Sequence, residues 1–348
     1  MDFSFTSFLN LLLHNRTFFI ISALTLVVIF INGWTDAPNA IITCVTGKCL
    51  SLKQSVCMAA IFNFLGTLCI TSVNCSVTGT ILNLANFDAD QNQALPALCA
   101  ALAAIVIWAV LAWFFGIPTS ESHALIAALT GAAIALQRSV SAAGVNAWAK
   151  VFAGLALALL GSTVLGFLLT YISTLFARKH DITAICKKGQ IVASACAAFA
   201  HGAQDGQKFI AIFILGSTLT GFFPSSNLTH NIPLWLIILC CTFISLGTLC
   251  GGARIIKKVG TQMVQLTAIE GFVTDIASVL CLLLATLTGL PVSTTHTKSS
   301  AMVGAALCNR QAPISWPIVS ELVLTWLCTF PACGFLGFLL SDFFLKLI

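Results

Sequence analysis

GIPTSESHALIAALTGA at residues 116–132 and GLPVSTTHTKSSAMVGA at 289–305 are two copies of one segment. Seven of 17 positions are identical, among them Gly116 and Gly289, Pro118 and Pro291, Ser120 and Ser293, and His123 and His296. Two further pairs keep the same order. FNFLGTLC at 62–69 pairs with FISLGTLC at 243–250, and GWTDAPN at 33–39 pairs with GAQDGQK at 202–208. The offsets are 173, 181 and 169, so the loops differ in length while the order holds. Chance among abundant Ala, Leu and Gly accounts for shared alanines. It does not account for a Gly-x-Pro-x-Ser-x-x-His in step with two other matches. The chain therefore reads as an internal duplication.

Outward from that repeat, the composition names the solvent. Of 348 residues, 58% are hydrophobic and 8% are charged. Soluble domains carry about 25% charged residues, so 16 Lys and Arg with 11 Asp and Glu cannot cover a soluble surface of this size. The net charge of +5 is scattered, which argues against a nucleic-acid partner. The surroundings expected are a lipid bilayer, in a multi-pass protein of the cell membrane. The 15 cysteines form no Cys-x-x-Cys pair, and most sit in apolar runs, where Cys acts as a small hydrophobe. Asp2 stands where a cleavable leader carries positive charge, so no leader is expected.

Ten apolar segments are expected, at about 17–47, 54–82, 97–116, 119–137, 147–177, 189–216, 232–250, 262–288, 292–308 and 318–346. The first is interrupted by NGWTDAPN and the sixth by HGAQDGQK, where Gly33, Pro38, Gly202 and Gly206 favour broken helices. The fourth and ninth are short and open on hydroxyl residues, which suits re-entrant half-helices. Lys48, Lys53, Arg178, Lys179, Lys187, Lys188, Arg254, Lys257 and Lys258 crowd three loops, expected on the cytoplasmic side. The loops at 83–96 and 217–231 lack Lys and Arg and are expected outside. Arg138 and Lys150 fit that path less well. Five crossings per half, an odd number, turn the second copy upside down. The architecture expected is an all-α polytopic membrane protein. Its first repeat is 1–177, its basic linker 178–188, and its inverted second repeat 189–348. Carriers use such inverted repeats, with broken helices, to hold one site near the midplane.

The polar clusters suggest the chemistry. An ionisable residue at membrane depth is costly, so Asp36 and Asp205 are candidate functional groups. Beside unwound backbone, a carboxylate suits Na+ or carries a proton. Asn39 adds an oxygen ligand one turn from Asp36, and its counterpart is Lys208, whose ammonium either replaces a cation or pairs with Asp205 at i,i+3. Thr119, Ser120 and Ser122 open one half-helix, and Ser293, Thr294, Thr295 and Thr297 the other. Helix N-termini bind anions through free amides and the dipole. N-capping explains one hydroxyl per helix, not three in both copies. His123 and His296 cap, pack or relay protons. Glu121 and Lys298 flank the hydroxyl runs, and Glu270 and Asp275 are also intramembrane by hydropathy.

Taken together, GWTDAPN, PTSESH, GAQDGQK and PVSTTH, in this order, resemble the inorganic phosphate transporter (PiT) family, from about residue 20 to the end of the chain. The resemblance implies alternating-access cotransport of inorganic phosphate with Na+ or H+. FAHGAQDGQK also resembles the proton-coupled bacterial branch, which leaves two forms of cargo open, free phosphate or a neutral metal–phosphate complex. The family resemblance assigns phosphate to Thr119, Ser120, Ser122, Ser293, Thr294 and Thr295, with Gln207 and Lys208, and the cation or proton to Asp36, Asn39 and Asp205. Those three would also be the Na+ ligands. No cofactor is implied beyond the cotransported ion, and a homodimer is compatible with it. This chain departs from the family at Trp34, Thr35, Pro38, Gln204 and Lys208, and the last of these favours H+ over Na+. Three other functions are weighed against this. A sulfate permease of the same fold differs in its oxyanion, which has no proton to donate. An intramembrane hydrolase would not need Ser and His at i,i+3 in both copies, and no Gly-x-Ser-x-Gly or His-Glu-x-x-His occurs. A passive channel would not need paired broken helices with Asp.

Overall fold

The computed structural model describes residues 4–117, 119–178, 181–223, 232–309 and 312–347. Pro118, Lys179 and residues 224–231 of the expected outer loop lie outside the described residues. Helices make up the architecture, and among the described residues the only β contacts are two isolated bridges, Ala85–Ala143 and Val264–Ile314. The first half runs α1 (Phe5–His14), α2 (Arg16–Thr35), a 3-10 turn (Ala37–Ile41), α3 (Ile42–Thr46), α4 (Leu52–Val73), α5 (Ser76–Leu82), α6 (Gln91–Phe114), α7 (Glu121–Gln137), α8 (Val145–Ala156) and α9 (Ser162–Ala177). The second half repeats that order as α10 (Thr183–Leu219), α11 (Leu234–Cys250), α12 (Ala253–Lys257), α13 (Ala268–Thr288), α14 (Thr294–Cys308) and α15 (Trp316–Lys346). A π-turn fuses α8 to α9, and another extends α12 to Met263. Among the described residues six helices are long and apolar enough to cross a membrane, and α11 with α12, bent by 59°, is either a seventh, broken span or a re-entrant pair. At 17 and 15 residues, α7 and α14 fall short of the ~20 needed for a full crossing.

The repeat is visible in how the halves cross. A Cβ on Gly33 of α2 would lie 2.0 Å from the Ile244 carbonyl of α11, and one on Gly202 of α10 would lie 2.2 Å from the Asn63 carbonyl of α4. Gly66 and Gly247 stand in the same relation to Phe199 and Phe30, at 1.9 and 2.0 Å. Each pair occupies matched positions of the repeat, so i meets j in the other half and j meets i, the signature of a two-fold interface. Likewise α7 packs on α15 and α14 packs on α9. A methyl group at Gly202 would drive two backbones apart. Gly202→Ala is therefore expected to cost ~1–3 kcal/mol by overpacking, read as a lower unfolding midpoint in detergent.

One expectation is corrected by this packing. The polar segment at 201–208 does not break its helix: α10 runs unbroken for 37 residues. Gly202 and Gly206 serve close approach to Asn63 and Thr67 of α4 instead. In the first copy, position 38 is proline, which has no N–H for the helical ladder, and α2 stops at Thr35. At the matched position 207 a glutamine keeps the ladder intact.

The charged residues near the faces also find simple partners. Arg138, which fits the inside-positive pattern poorly, pairs with Asp342 at 2.5 Å. Lys187 and Lys188 lie in the first turns of α10. Glu270 is a helix cap: its side chain accepts from the Thr267 amide at 2.7 Å, completing a capping box at the start of α13. Large apolar side chains such as Phe167, Tyr171, Leu327 and Phe335 cover the outside of α9 and α15, where lipid is the solvent.

Candidate functional site

Pro38 sets the local backbone. Asp36 closes α2 as its C-cap, and the 3-10 turn that follows brings Asn39 back onto it. The Asn39 Nδ2 donates to Asp36 Oδ1 at 2.8 Å and to Thr295 Oγ1 at 2.8 Å. Thr295 in turn donates to Asp36 Oδ1. Thr295 belongs to the first turn of α14, so a hydroxyl of the second half meets a carboxylate of the first.

The other copy builds the same figure with different atoms. Lys208 Nζ donates to Asp205 Oδ1 at 2.6 Å, to Ser122 Oγ at 2.6 Å and to the Val292 carbonyl at 2.5 Å. Asp205 matches Asp36, Lys208 matches Asn39, and Ser122 of α7 matches Thr295 of α14. The ammonium thus stands where the first copy has a neutral amide.

Between the two figures lies a shared centre. One ligand atom each from Asp36, His201 and Asp205 falls within 4.8 Å of the other two. Asn32 Nδ2 donates to Asp205 Oδ2 at 3.2 Å, across the interface of the halves. His201 Nε2 lies 3.3 Å from the same oxygen, and its Nδ1 meets Asn63 Oδ1 at 2.9 Å. Glu121, at the start of α7, faces Asn32, Asp36 and Asp205. Every one of these charged or amide side chains is at most 2% exposed, so the cluster is sealed from both faces. Three carboxyl groups face one ammonium. Asp36 Oδ2, Asn39 Oδ1 and Asn32 Oδ1 are buried acceptors with no protein partner.

The half-helix tips converge beside this centre. His123 and His296 meet edge to face at 4.5 Å between ring centroids. His123 stacks on Phe330 at 4.4 Å, and His296 lies 4.0 Å from Trp326. Both rings are buried, and no ring nitrogen has a hydrogen-bond partner, so packing is their visible role. Ser120 and Ser293 cap their helices, accepting from the His123 and His296 amides at 3.2 and 3.3 Å. Thr294 is buried with its hydroxyl unpartnered. Thr297 donates back to Ser293 O at 2.8 Å. Thr119 is not brought to the cluster. It lines an apolar surface cavity with Trp108, Leu111 and Cys328. Extended backbone at Ser120 sends neighbouring side chains to opposite sides.

Gln207 turns toward α5. Its Oε1 accepts from the Val77 amide at 3.1 Å, and its carbonyl accepts from Thr78 at 3.0 Å. The short helix α5 therefore separates the cluster from a polar surface cavity of about 680 Å³ lined by Ser76, Thr80, Asn146 and Lys150. Another surface cavity, of about 360 Å³, is lined by Trp34, Lys53, Trp113 and Arg254.

Two site residues escaped the sequence reading, Asn32 and His201. Both stand four positions before an aspartate, at matched places in the repeat. That shared spacing is the signal that would have found them.

Comparison with known proteins bears on what such a site does. A model described as "Phosphate transporter family" matches residues 32–186 and again 173–337. A probable low-affinity inorganic phosphate transporter of Bacillus subtilis is 33% identical over 311 residues, 88% of this chain and 91% of that protein. One of Rhizobium meliloti with the same description is 32% identical over 319 residues, covering 88% of this chain and 90% of its own length. A solved structure titled "The sodium-dependent phosphate transporter" superposes with a TM-score of 0.79 over 95% of this chain and 99% of its own, at 21% identity.

Proposed function

Because the chain belongs to the phosphate transporter family, we propose that it is a secondary active transporter of the cell membrane that carries inorganic phosphate together with protons by alternating access. The observation that carries this reading is the charge count in the sealed centre. Asp36, Asp205 and Glu121 lie together, and among the described residues the ammonium at this centre is that of Lys208, paired with Asp205. An oxyanion entering such a site must bring positive charge with it, since an unpaired buried charge is expensive. That requirement is obligate symport stated in electrostatic terms.

The roles follow from the atoms. Lys208 and the hydroxyls of Ser122 and Thr295 are the donors for the oxyanion. Asp36 and Asp205, with the oxygens of Asn39 and Asn32, take the proton or cation. A carboxylate acceptor also distinguishes hydrogen phosphate, which has a proton to donate, from sulfate, which has none. Lys208 supplies one fixed positive charge, which favours a proton over Na+ as the travelling ion. A second reading rests on His201: an imidazole nitrogen beside two carboxylates suits a borderline divalent metal, so a neutral metal–phosphate complex is an alternative form of the cargo.

The test is uptake of labelled phosphate into proteoliposomes. An inward proton gradient without Na+ is expected to drive accumulation, and excess sulfate is expected not to compete. Uptake that needs Na+ and ignores the pH gradient overturns proton coupling. Equal competition by sulfate overturns the cargo, and strict dependence on added Mn2+ or Zn2+ selects the metal complex. Ser122→Ala and Thr295→Ala each remove one hydroxyl donor to a charged ligand, worth ~1.5 kcal/mol or more. Each is expected to raise the apparent KM for phosphate about tenfold.

A further inference from the structure

A second ionic group lies buried outside the centre just described. Lys298 of α14 and Asp275 of α13 are 2% and 0% exposed. The Lys298 ammonium donates to Asp275 Oδ1, to Thr43 Oγ1 at 3.2 Å and to the Ala40 carbonyl at 3.5 Å. Thr43 also donates to Asp275 Oδ1 at 2.6 Å, and Ser194 of α10 donates to Oδ2 at 2.5 Å. Ala40 sits in the 3-10 turn around Pro38 that interrupts the α-helical ladder between α2 and α3.

The repeat supplies an internal control. By the offsets of 169 and 173, Thr43 matches Ile212, Ser194 matches Thr25, Asp275 matches Leu102 and Lys298 matches Leu125. Leu102, Leu125 and Ile212 are fully buried members of the main apolar core. The Thr25 hydroxyl bonds back to Ile21 O of its own helix. The same place in the fold is therefore filled by hydrocarbon in one half and by an ion pair in the other. Hydrophobic replacement of a buried ion pair is often neutral or stabilising, so packing alone gives the second half no reason to keep the charges.

The donor set gives the reason. One carboxylate, one hydroxyl and one carbonyl from the interruption between two helices are oxygen ligands of the kind that broken-helix carriers offer to an alkali cation. We propose that this group is an alkali-cation cage whose permanent occupant is the Lys298 ammonium, a tethered ion that removes the need for a travelling one. The proposal deepens the transport reading, on which its meaning for ion coupling rests. The cage itself is testable without any cargo.

Lys298→Ala vacates the cage and leaves Asp275 without its counter-ion. Purified in choline chloride, this variant is expected to unfold at a lower temperature than the unmodified protein. Adding NaCl or KCl is then expected to raise its midpoint saturably, beyond any rise in the unmodified protein. The double variant Lys298→Leu/Asp275→Leu, which copies the other half, is expected to fold and to lack that extra response. A Lys298→Ala protein that recovers its fold only in an alkali salt also supports the cage. Equal salt responses in Lys298→Ala and the unmodified protein overturn it. So does a Lys298→Ala protein that stays unfolded in every salt while the double variant folds. Phosphate uptake by the unmodified protein is read separately. Its absence would sink the transport reading and leave the cage result standing.

Discussion

Asp36→Asn is expected to reduce phosphate uptake by about a hundredfold or more while leaving the protein folded in the membrane. The substitution is nearly isosteric. The remaining side-chain oxygen still accepts from Thr295, whose hydroxyl now meets an amide instead of a carboxylate. What disappears is the negative charge at the junction of α2 and its 3-10 turn, and with it the acceptor for the travelling positive charge. A charge-assisted contact is worth up to ~3 kcal/mol, which corresponds to about a hundredfold in an equilibrium or a rate. Initial uptake rates in proteoliposomes, normalised to folded protein by size-exclusion chromatography, read the effect. Uptake at the unmodified rate would remove Asp36 from the transport cycle and the charge argument with it.

Lys208→Met should show two losses at once. The ammonium has three oxygen partners within 2.6 Å, and all of them are buried. Removing one member of a buried pair strands the other, which typically costs ~3–5 kcal/mol. For a chain of this size the unfolding midpoint in detergent is expected to fall by about 4–7 °C. Transport should fail as well, because the oxyanion loses its fixed positive partner. Asp205→Asn/Lys208→Met also removes the charge of the direct partner, so part of the lost stability is expected to return while uptake stays absent. Recovery of uptake in that double variant would show that Lys208 serves the fold alone.

The duplication was legible because polar residues are conspicuous in an apolar chain. A Gly-x-Pro-x-Ser-x-x-His twice over, with Asp36 and Asp205 in step, needed no coordinates to find. The unbroken α10 was not legible. Glycine inside a helix has two uses, breaking it or letting another backbone close in, and the partner that decides for Gly202 is Asn63, 139 positions away. The hydroxyl runs were half legible. Their chemistry is plain, but the direction of each side chain depends on helix phase. Ser122 and Thr295 reach the acidic centre, Ser120 and Ser293 are spent on caps, and Thr119 faces away. Asn32 and His201 open the two polar clusters but were missed as site residues because the repeat was matched from Gly33 and Gly202, one position after them. The pair Asp275 and Lys298 was visible as two charges at membrane depth, yet nothing in the sequence said that they meet.

The proline-made bend after Asp36 has one further consequence. If a carrier built from two related halves reversed its access by having each half adopt the other's shape, α10 would have to acquire the kink and α2 would have to straighten. A pyrrolidine ring cannot lend its geometry to Gln207, and α2 cannot set its own aside. In a carrier of that kind the two access states would not be images of each other, and nothing would hold them at equal free energy before any ion or gradient acts. Such a molecule would have a preferred resting side, written into its covalent structure by one imino acid.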